Sequence, residues 1–271
     1  MMATSESDAF EGAVRFATLS DTGTERPHNE DACGAHIESA AHIVIAVADG
    51  VSGLEAGEVA SRTAVDVTLS AYRDSPSSWG PAKRLYRAAQ QANIEIHDRS
   101  LVVTELRGMS TTLTAVAVHG ATAYAAHVGD SRLYLLRNGR LVQKTKDHTV
   151  AADRRRMGLM SAERLKDHPD RCTLTRSLGH DLIAAVDRIS FPLATDDVLL
   201  ICSDGLYNVL SNAEIRDVAS SGSCENACAQ LIRLANTRGT PDNLTAAIVR
   251  VREVTSIDPP TGWRRLLPWW R

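Results

Sequence analysis

Short apolar runs that end abruptly at an aspartate are the feature that most constrains this chain. The run 42–48 is followed directly by Asp49-Gly50, and the run 198–202 is followed by Ser203-Asp204-Gly205. A short apolar run bounded by turn residues predicts a buried β-strand. Four aspartates are expected at such strand ends, where a rigid scaffold would hold their side chains: Asp49, Asp130, Asp204 and Asp242.

The rest of the pattern predicts many strands and few helices. Strands are expected over 13–19, 42–48, 111–118, 121–128, 132–137, 141–145, 186–191, 198–202 and 244–251. Two long helices are expected over 55–73 and 81–105, and two shorter ones over 211–219 and 224–236. The strands come mostly as hairpins and the helices are grouped, so the pattern favours one α+β domain with a mainly antiparallel sheet.

Composition excludes several classes of protein. The chain carries 30 basic and 33 acidic side chains, a net charge of −3, which leaves no basic excess for neutralising nucleic-acid phosphates. Five cysteines without a CxxC pair argue against a disulfide framework. The first residues lack the features of a signal peptide, and no apolar run approaches the roughly 20 residues that cross a bilayer. We expect a soluble, cytoplasmic monomer.

Carboxylates that meet at strand ends would repel one another. At about 4 Å and an effective dielectric constant of 20, the cost is of order 4 kcal/mol per pair. Such a cluster persists only with protons or cations among its members, and oxygen ligands select Mg²⁺ or Mn²⁺. A single Asp-Gly after a strand is commonly only a turn. The conjunction of four sites with Glu30-Asp31, four residues beyond Arg26, favours phosphate chemistry, because an arginine fork binds two phosphate oxygens.

Seven short motifs occur in a fixed order along the chain. They are Arg26-x-x-x-Glu30-Asp31, Asp49-Gly50, Gly108-Met-Ser-Thr-Thr112, Gly129-Asp-Ser-Arg132, Leu174-Thr-Arg-Ser-Leu-Gly179, Ser203-Asp-Gly-Leu206 and Asp242-Asn243. This set resembles the metal-dependent serine/threonine phosphatases of the protein phosphatase 2C family, and the single-domain layout is similar to its bacterial members. The resemblance spans residues 15–251. It implies a central β-sandwich of two antiparallel sheets flanked by helices on both sides, a four-layer αββα fold.

The resemblance also implies two core Mn²⁺ or Mg²⁺ ions. Asp49 would bridge the two ions, and the carbonyl of Gly50 would be a ligand of one of them. Asp204 and Asp242 would hold the other ion.

The resemblance implies that the other motif residues contact the ions indirectly, form a third metal site or bind the substrate. Glu30 and Asp31 would act mainly through metal-bound waters, and Asp130 with Asp204 would form a weaker third metal site. Arg26 would bind the substrate phosphate. A water activated by the ions would then hydrolyse phosphoserine or phosphothreonine in proteins, reversing a Ser/Thr kinase in signalling. The expected partners are phosphoprotein substrates and a cognate Ser/Thr kinase.

One residue departs from the family pattern. Many eukaryotic members have His directly after the Asp-Gly motif, whereas this chain has Val51, which cannot donate a proton to the leaving group. The segment from Asp147 to Arg171 is similar to the family's variable flap, and its His148 is expected to be structural.

The chain is expected to have three parts. We expect a disordered N-terminus over 1–12, the phosphatase domain over 13–253, and a Pro/Gly linker with a Trp/Arg-rich tail over 254–271. The tail could contact a membrane surface or a partner. The favoured interpretation is that its tryptophans cover an apolar patch of the domain.

Two other functions remain open at this point. One is a catalytically silent binding module on the same scaffold that regulates a kinase or another partner. Its expected mark is the loss of metal aspartates, and all four strand-end aspartates are present. The other is a two-metal hydrolase of another ester, such as a nuclease, but the charge balance gives no sign of a basic groove. The chain lacks a Cys-x5-Arg phosphatase motif, an Asp-x-Asp motif and a P-loop.

Overall fold

The computed structural model describes residues 2–4, 13–51, 55–161 and 169–254. Its strands are β1 (Met2–Thr4), β2 (Val14–Asp21), β3 (Asp31–Ser39), β4 (His42–Val51), β5 (Ser110–Thr111), β6 (Leu113–His119), β7 (Thr122–Val128), β8 (Arg132–Arg137), β9 (Arg140–Gln143), β10 (Asp187–Pro192), β11 (Val198–Cys202) and β12 (Leu244–Val251). Its α-helices are α1 (Glu55–Arg73), α2 (Pro81–Val102), α3 (Val150–Arg156), α4 (Asp204–Tyr207), α5 (Asn212–Ala219) and α6 (Cys224–Thr237).

The strands form two antiparallel sheets. The first has the order β1-β2-β12-β11-β8-β9, and the second has the order β10-β7-β6-β4-β3. The short strand β5 extends the second sheet at the end of β4, where Gly50 pairs with Thr111. Sequence neighbours such as β6 and β7, or β8 and β9, are hairpins, as the sequence pattern indicates.

The two sheets pack face to face, with one helical layer outside each. Between the sheets lies an aliphatic core that includes Ile45, Val116 and Ile201. Helices α1 and α2 pack on the second sheet largely through alanines, and α5 and α6 pack on the first through a mixture of aliphatic side chains such as Leu231 with alanines and cysteines. Small side chains let a helix approach a sheet closely, so few aromatic residues are needed. The predicted four-layer αββα architecture is confirmed.

Most predicted elements are present with small changes at their ends. The predicted capping box of α5 is confirmed, since Ser211 and Glu214 exchange side-chain and backbone hydrogen bonds. The predicted hairpin turn at Asn138-Gly139 is also confirmed, with φ values of 51° and 71°. Helix α2 ends at Val102 rather than at residue 105, because Thr104–Leu106 form a separate 3-10 turn. Strands β1 and β3 and the short helices α3 and α4 were not predicted.

The predicted disorder over residues 1–12 is wrong for three of them. Met2–Thr4 form β1, which pairs with Thr18, Leu19 and Ser20 of β2. Residue 1, residues 5–12 and the tail from residue 255 onward lie outside the described residues, and the predicted domain boundaries stay a prediction. In the part of the chain that the structure describes, no helix is long and apolar enough to cross a bilayer.

Candidate metal and phosphate site

Five aspartates meet at one end of the sandwich. Asp31 and Asp49 are register partners across the hairpin of β3 and β4. Asp204 is the first residue of α4, two residues after the end of β11, and Asp130 lies two residues after the end of β7; both are buried. Asp242 stands two residues before β12 and is partly exposed. We call these five residues the acidic cluster, and they are the aspartates that the sequence predicts at this site.

The electrostatics of Asp49 show that the five carboxylates lie close together. Burial, followed by repulsion from the other four members of the acidic cluster, raises the pKa of Asp49 well above its usual range. Burial and the neighbouring Asp204 raise the pKa of Asp130 in the same way. Like charges disfavour the ionised form only over short distances, so this end of the sandwich concentrates negative charge.

Two further members of the acidic cluster have raised pKa values. Burial raises the pKa of Asp31 to about 7, against the lowering effect of hydrogen bonds from Ser203 and Thr245. Burial and the nearby Asp242 raise the pKa of Asp204 to about 6. Both carboxyls would therefore bind protons near neutral pH unless a cation balances their charge.

Arg26 and Glu30 lie at the edge of this cluster. The Arg26 guanidinium donates to the Pro241 carbonyl at 3.2 Å and to the Asp242 carboxylate at 3.1 Å. Arg26 is 46% exposed, so part of its fork faces solvent. Burial raises the pKa of Glu30, and the neighbouring Arg26 opposes this shift. The structure therefore places the Arg26 guanidinium next to the carboxylates of Asp242 and Glu30, as the sequence predicts.

Asn243 has a larger role than the sequence indicates. Its side-chain oxygen accepts the backbone N–H of Glu30 at 2.8 Å, and its amide nitrogen donates to the carbonyls of Thr22 and His28 at 2.8 and 2.9 Å. These hydrogen bonds connect the loop that contains Arg26 to the loop that contains Asp242. The motif contains Asn243, but nothing local to it shows which distant backbone groups it binds.

Two threonines hold the backbone of Asp49. The Asp49 N–H donates to Thr112 Oγ1 at 2.9 Å, and Thr111 Oγ1 donates to the Asp49 carbonyl at 2.8 Å. Thr112 Oγ1 also lies 2.8 Å from the hydroxyl of Ser131, beside Asp130. These residues belong to the sequence motifs, but only the structure shows that their hydrogen bonds connect the ends of three strands beside Asp49.

Two glycines allow the backbone to close around the cluster. A Cβ added to Gly50 would lie 2.3 Å from the carbonyl oxygen of Gly57 and 2.8 Å from that of Glu30. A Cβ on Gly57 would lie 2.8 Å from the carboxyl group of Glu30. The close approach of helix α1 at Gly57 is a contact that no sequence signal points to.

Arg132 and His148 anchor the start of the segment identified as a flap. Arg132 binds Asp147 through three hydrogen bonds of 2.6 to 3.2 Å. His148 is buried; its Nδ1 accepts the N–H of Gly129 at 3.1 Å, and its Nε2 lies 3.3 Å from Asp187. Both ring nitrogens are engaged within the fold, which fits the predicted structural role. Residues 162–168 lie outside the described residues.

The donor set fits a hard divalent cation. It consists of carboxylate oxygens with the backbone of Gly50 beside them, which is the chemistry that Mg²⁺ and Mn²⁺ prefer. Oδ1 of Asp31 is buried and has no hydrogen-bond partner, which leaves a free acceptor in the cluster. Among the described residues, no three His, Cys, Asp or Glu side chains are arranged to hold an ion by themselves. Backbone oxygen and water would have to complete the coordination.

The sequence and the fold of this chain are similar to those of known phosphatases. The family model described as protein phosphatase 2C matches residues 24–248, which is most of the chain. This chain belongs to the protein phosphatase 2C family. The serine/threonine phosphatase Stp of Listeria monocytogenes is 35% identical over 244 residues, covering 87% of this chain and 94% of that protein. The protein phosphatase PhpP of Streptococcus pneumoniae is 32% identical over 243 residues, covering 89% and 98%.

Solved structures of protein phosphatase 2C relatives have the same fold. The serine/threonine phosphatase PstP/Ppp of Mycobacterium tuberculosis superposes with a TM-score of 0.81 at 32% identity, covering 89% of this chain and 99% of that one. The catalytic domain of a PstP in complex with two manganese ions superposes with a TM-score of 0.79 at 31% identity, covering 89% and 99%. The predicted family, fold, enzyme class and Mn²⁺ or Mg²⁺ dependence are confirmed by these comparisons. Within the family, phosphoprotein substrates are the general class.

Proposed function

We propose that this chain hydrolyses phosphoserine and phosphothreonine in proteins with Mn²⁺ or Mg²⁺ as its cofactor. Membership of the protein phosphatase 2C family over residues 24–248 is the observation that carries this conclusion. The intact acidic cluster supports it, because a silent binding module would not need five buried or half-buried carboxylates that repel one another. The net charge of −3 speaks against a nuclease.

The proposed roles of the site residues follow from their places in the cluster. We assign Asp49, the Gly50 carbonyl, Asp204 and Asp242 to two core ions. Asp130 and Asp204 would share a third, weaker ion. Glu30 and Asp31 complete the coordination through water. We place Asp49 between the two core ions, and its nearness to the other four aspartates of the cluster supports this place.

The chain's own residues would orient the substrate. When bound, the ions supply an activated water and neutralise charge on the phosphoryl group. Arg26 binds phosphate oxygens with the exposed part of its fork, while its bonds to Pro241 and Asp242 keep the guanidinium in place. Asn243 holds the Arg26 loop against the cluster. Val51 is 38% exposed and has no proton to donate, so either water protonates the leaving alkoxide or the enzyme favours substrates with good leaving groups.

The decisive experiment measures phosphate release from a phosphothreonine peptide with Mn²⁺ and then with chelator. The purified chain should turn over only with Mn²⁺ or Mg²⁺, and Asp204→Asn and Asp242→Asn should abolish turnover while the circular dichroism spectrum stays unchanged. Asp196→Asn is the matched control, because Asp196 is exposed, lies outside the cluster, and has a φ of 68° that Asn tolerates. Full turnover by Asp242→Asn at saturating Mn²⁺ would overturn the ligand assignment.

Partners and cellular context remain part of the proposal. We propose a cognate Ser/Thr kinase whose phosphoproteins this enzyme dephosphorylates, a cytoplasmic location and a monomeric state. An inactive Asp242→Asn form should retain phosphorylated partners during affinity purification, and sedimentation should give the mass of one chain. Removing residues 255–271 tests the Trp/Arg-rich tail: unchanged activity together with lost sedimentation onto anionic vesicles would assign a membrane contact to it.

A further inference from the structure

The two carboxylate oxygens of Asp31 have different surroundings. Oδ2 accepts hydrogen bonds from the hydroxyls of Ser203 at 2.6 Å and Thr245 at 2.7 Å. Oδ1 is equally buried but has no hydrogen-bond partner, and no other carboxylate oxygen in the described ranges shares this condition. A buried polar atom without a partner is rare and requires an explanation.

The hydroxyl groups around Oδ2 form a chain with a fixed direction. Ser203 Oγ accepts the N–H of Thr245 at 2.9 Å, so its own hydrogen points to Asp31. Asn29 Nδ2 donates to Ser20 Oγ at 2.8 Å, and Ser20 Oγ lies 2.9 Å from Thr245 Oγ1. Ser20 therefore donates to Thr245, and Thr245 donates to Asp31. Every hydroxyl in this chain is committed, and none has a hydrogen left for Oδ1.

These contacts cross between the two sheets. Asp31 begins β3 of the second sheet, whereas Ser203 follows β11 and Thr245 lies in β12 of the first sheet. Ser203 and Thr245 are fully buried, so water does not replace them. Two bonds from a separate sheet to one oxygen fix the rotation of the carboxylate and thereby the position of the other oxygen.

We propose that Ser203 and Thr245 are positioning residues that hold Asp31 with Oδ1 free for a divalent cation or the water bound to it. This inference rests on the proposed metal-dependent function. It assigns the hydroxyls to the alignment of a ligand, beyond any contribution to folding. Groups that orient metal ligands typically change metal affinity about 10- to 100-fold when they are removed.

The test compares Thr245→Val, which removes the hydroxyl at nearly constant shape, with Thr245→Ser, which keeps it. Ser203→Ala removes the second donor. Thr68→Val is the matched control, because Thr68 is also fully buried but its hydroxyl has no partner. Calorimetric titration of the metal-stripped proteins with Mn²⁺ gives binding directly, and the Mn²⁺ dependence of phosphopeptide hydrolysis gives an independent activation constant.

We expect Thr245→Val and Ser203→Ala to bind Mn²⁺ about 10-fold more weakly. Excess Mn²⁺ should restore their maximal rate, with an unchanged KM for the peptide. Thr245→Ser and Thr68→Val should match the wild type. A Mn²⁺ affinity of Thr245→Val within twofold of the wild type, or a loss in Thr245→Ser equal to that in Thr245→Val, would overturn the inference. If Ser203→Ala does not fold, the comparison of Thr245→Val with Thr245→Ser still tests the positioning role.

Results that would refute the proposed phosphatase function differ from results that would refute the positioning role of the two hydroxyls. A wild-type protein that binds Mn²⁺ but releases no phosphate from any phosphopeptide would refute the phosphatase assignment, while the binding titrations would still test the two hydroxyls. A wild-type protein that binds no Mn²⁺ at all would refute both.

Discussion

The guanidinium of Arg26 lies 3.1 Å from the carboxylate of Asp242, 216 residues away in the sequence. The same guanidinium donates to the carbonyl of Pro241. The residue proposed to bind the substrate phosphate is thus fastened to a proposed metal ligand and its neighbour. This arrangement orients the arginine before substrate arrives, which reduces the conformational entropy lost on binding.

Arg26→Ala should lower kcat/KM for a phosphothreonine peptide by about 10- to 100-fold. A hydrogen bond to a charged group contributes roughly 1.5–3 kcal/mol, and about 1.4 kcal/mol corresponds to a factor of ten. Arg26→Lys should recover only part of this loss, because an ammonium group cannot bind two oxygens through a planar fork. Steady-state kinetics at saturating Mn²⁺ measures both effects. Unchanged kinetics in the alanine variant would exclude Arg26 from phosphate binding.

Gly50→Ala should reduce both stability and Mn²⁺ activation, whereas Gly57→Ala should reduce Mn²⁺ activation alone. The new Cβ at Gly50 would meet the rigid carbonyls of Gly57 and Glu30, so we expect a loss of about 2 kcal/mol or more in unfolding free energy and weaker Mn²⁺ activation. The atoms nearest to a new Cβ at Gly57 would be those of the Glu30 carboxyl group, a side-chain end that can move.

Helix propensity favours alanine over glycine, so Gly57→Ala should retain stability while Glu30 is displaced. We expect this variant to need more Mn²⁺ for half-maximal activity. Gly80→Ala is the control, because Gly80 has open space around it. Urea titrations and Mn²⁺ activation curves distinguish the three variants. Equal stability losses at positions 50 and 57 would contradict the packing argument.

The sequence predicts the site aspartates because their position is a local property. An apolar run and the aspartate that follows it lie within two residues of each other in the chain, as with β11 and Asp204. The supports of these aspartates are not local. Thr245 and Asp31 are 214 residues apart, and Asn243 and Glu30 are 213 apart. No spacing rule relates such pairs, so their hydrogen bonds emerge only from the fold.

Strand β3 was missed because its sequence lacks an apolar run. It contains Gly34 and Glu38, and most of its residues are half-buried. Gly34 allows close packing against α1, since a Cβ there would lie 3.0 Å from side-chain atoms of Leu69 and Val65. The short helices α3 and α4 have 7 and 4 residues, too few for a helical period to show. The long periodic helix α1 has the predicted bounds, and α2 begins at the predicted residue but ends three residues earlier.

The stability of the metal-stripped protein should depend on pH through Asp31 and Asp204. Their pKa values of about 7 and about 6 exceed the ordinary value of 3.8, so between about pH 4 and 7 the native state binds more protons than the unfolded state. The free energy of unfolding contributed by these groups therefore falls as pH rises through that window. A cation replaces the protons, so stabilisation by Mn²⁺ should be larger at pH 8 than at pH 5.

Buried histidines act in the opposite direction. Burial lowers the pKa of His42 and His127 to about 4, so their contribution to stability falls as pH drops below 6.5. A comparison with Asp204→Asn removes this background, since both proteins carry the same histidines. Thermal unfolding from pH 5 to 8 should show a smaller loss of stability for Asp204→Asn than for the wild type. Parallel pH profiles would show that Asp204 does not carry a raised pKa.

Asn243→Ala should weaken both the fold and substrate binding. The variant leaves the Glu30 N–H and the carbonyls of Thr22 and His28 without their partner at a buried position, which should cost about 2–3 kcal/mol. Asn226→Ala is the control, because Asn226 is an exposed residue of helix α6. Urea unfolding should separate these two variants clearly.

The kinetic effect of Asn243→Ala should fall on KM. The Arg26 loop would lose its attachment to the cluster, so the arginine would bind phosphate with less prior order, and KM for the peptide should rise several-fold more than kcat falls. Asn243→Asp should be worse than alanine, since it places a carboxylate against two carbonyl oxygens. A stability loss with an unchanged KM would mean that Asn243 supports the fold without aligning Arg26.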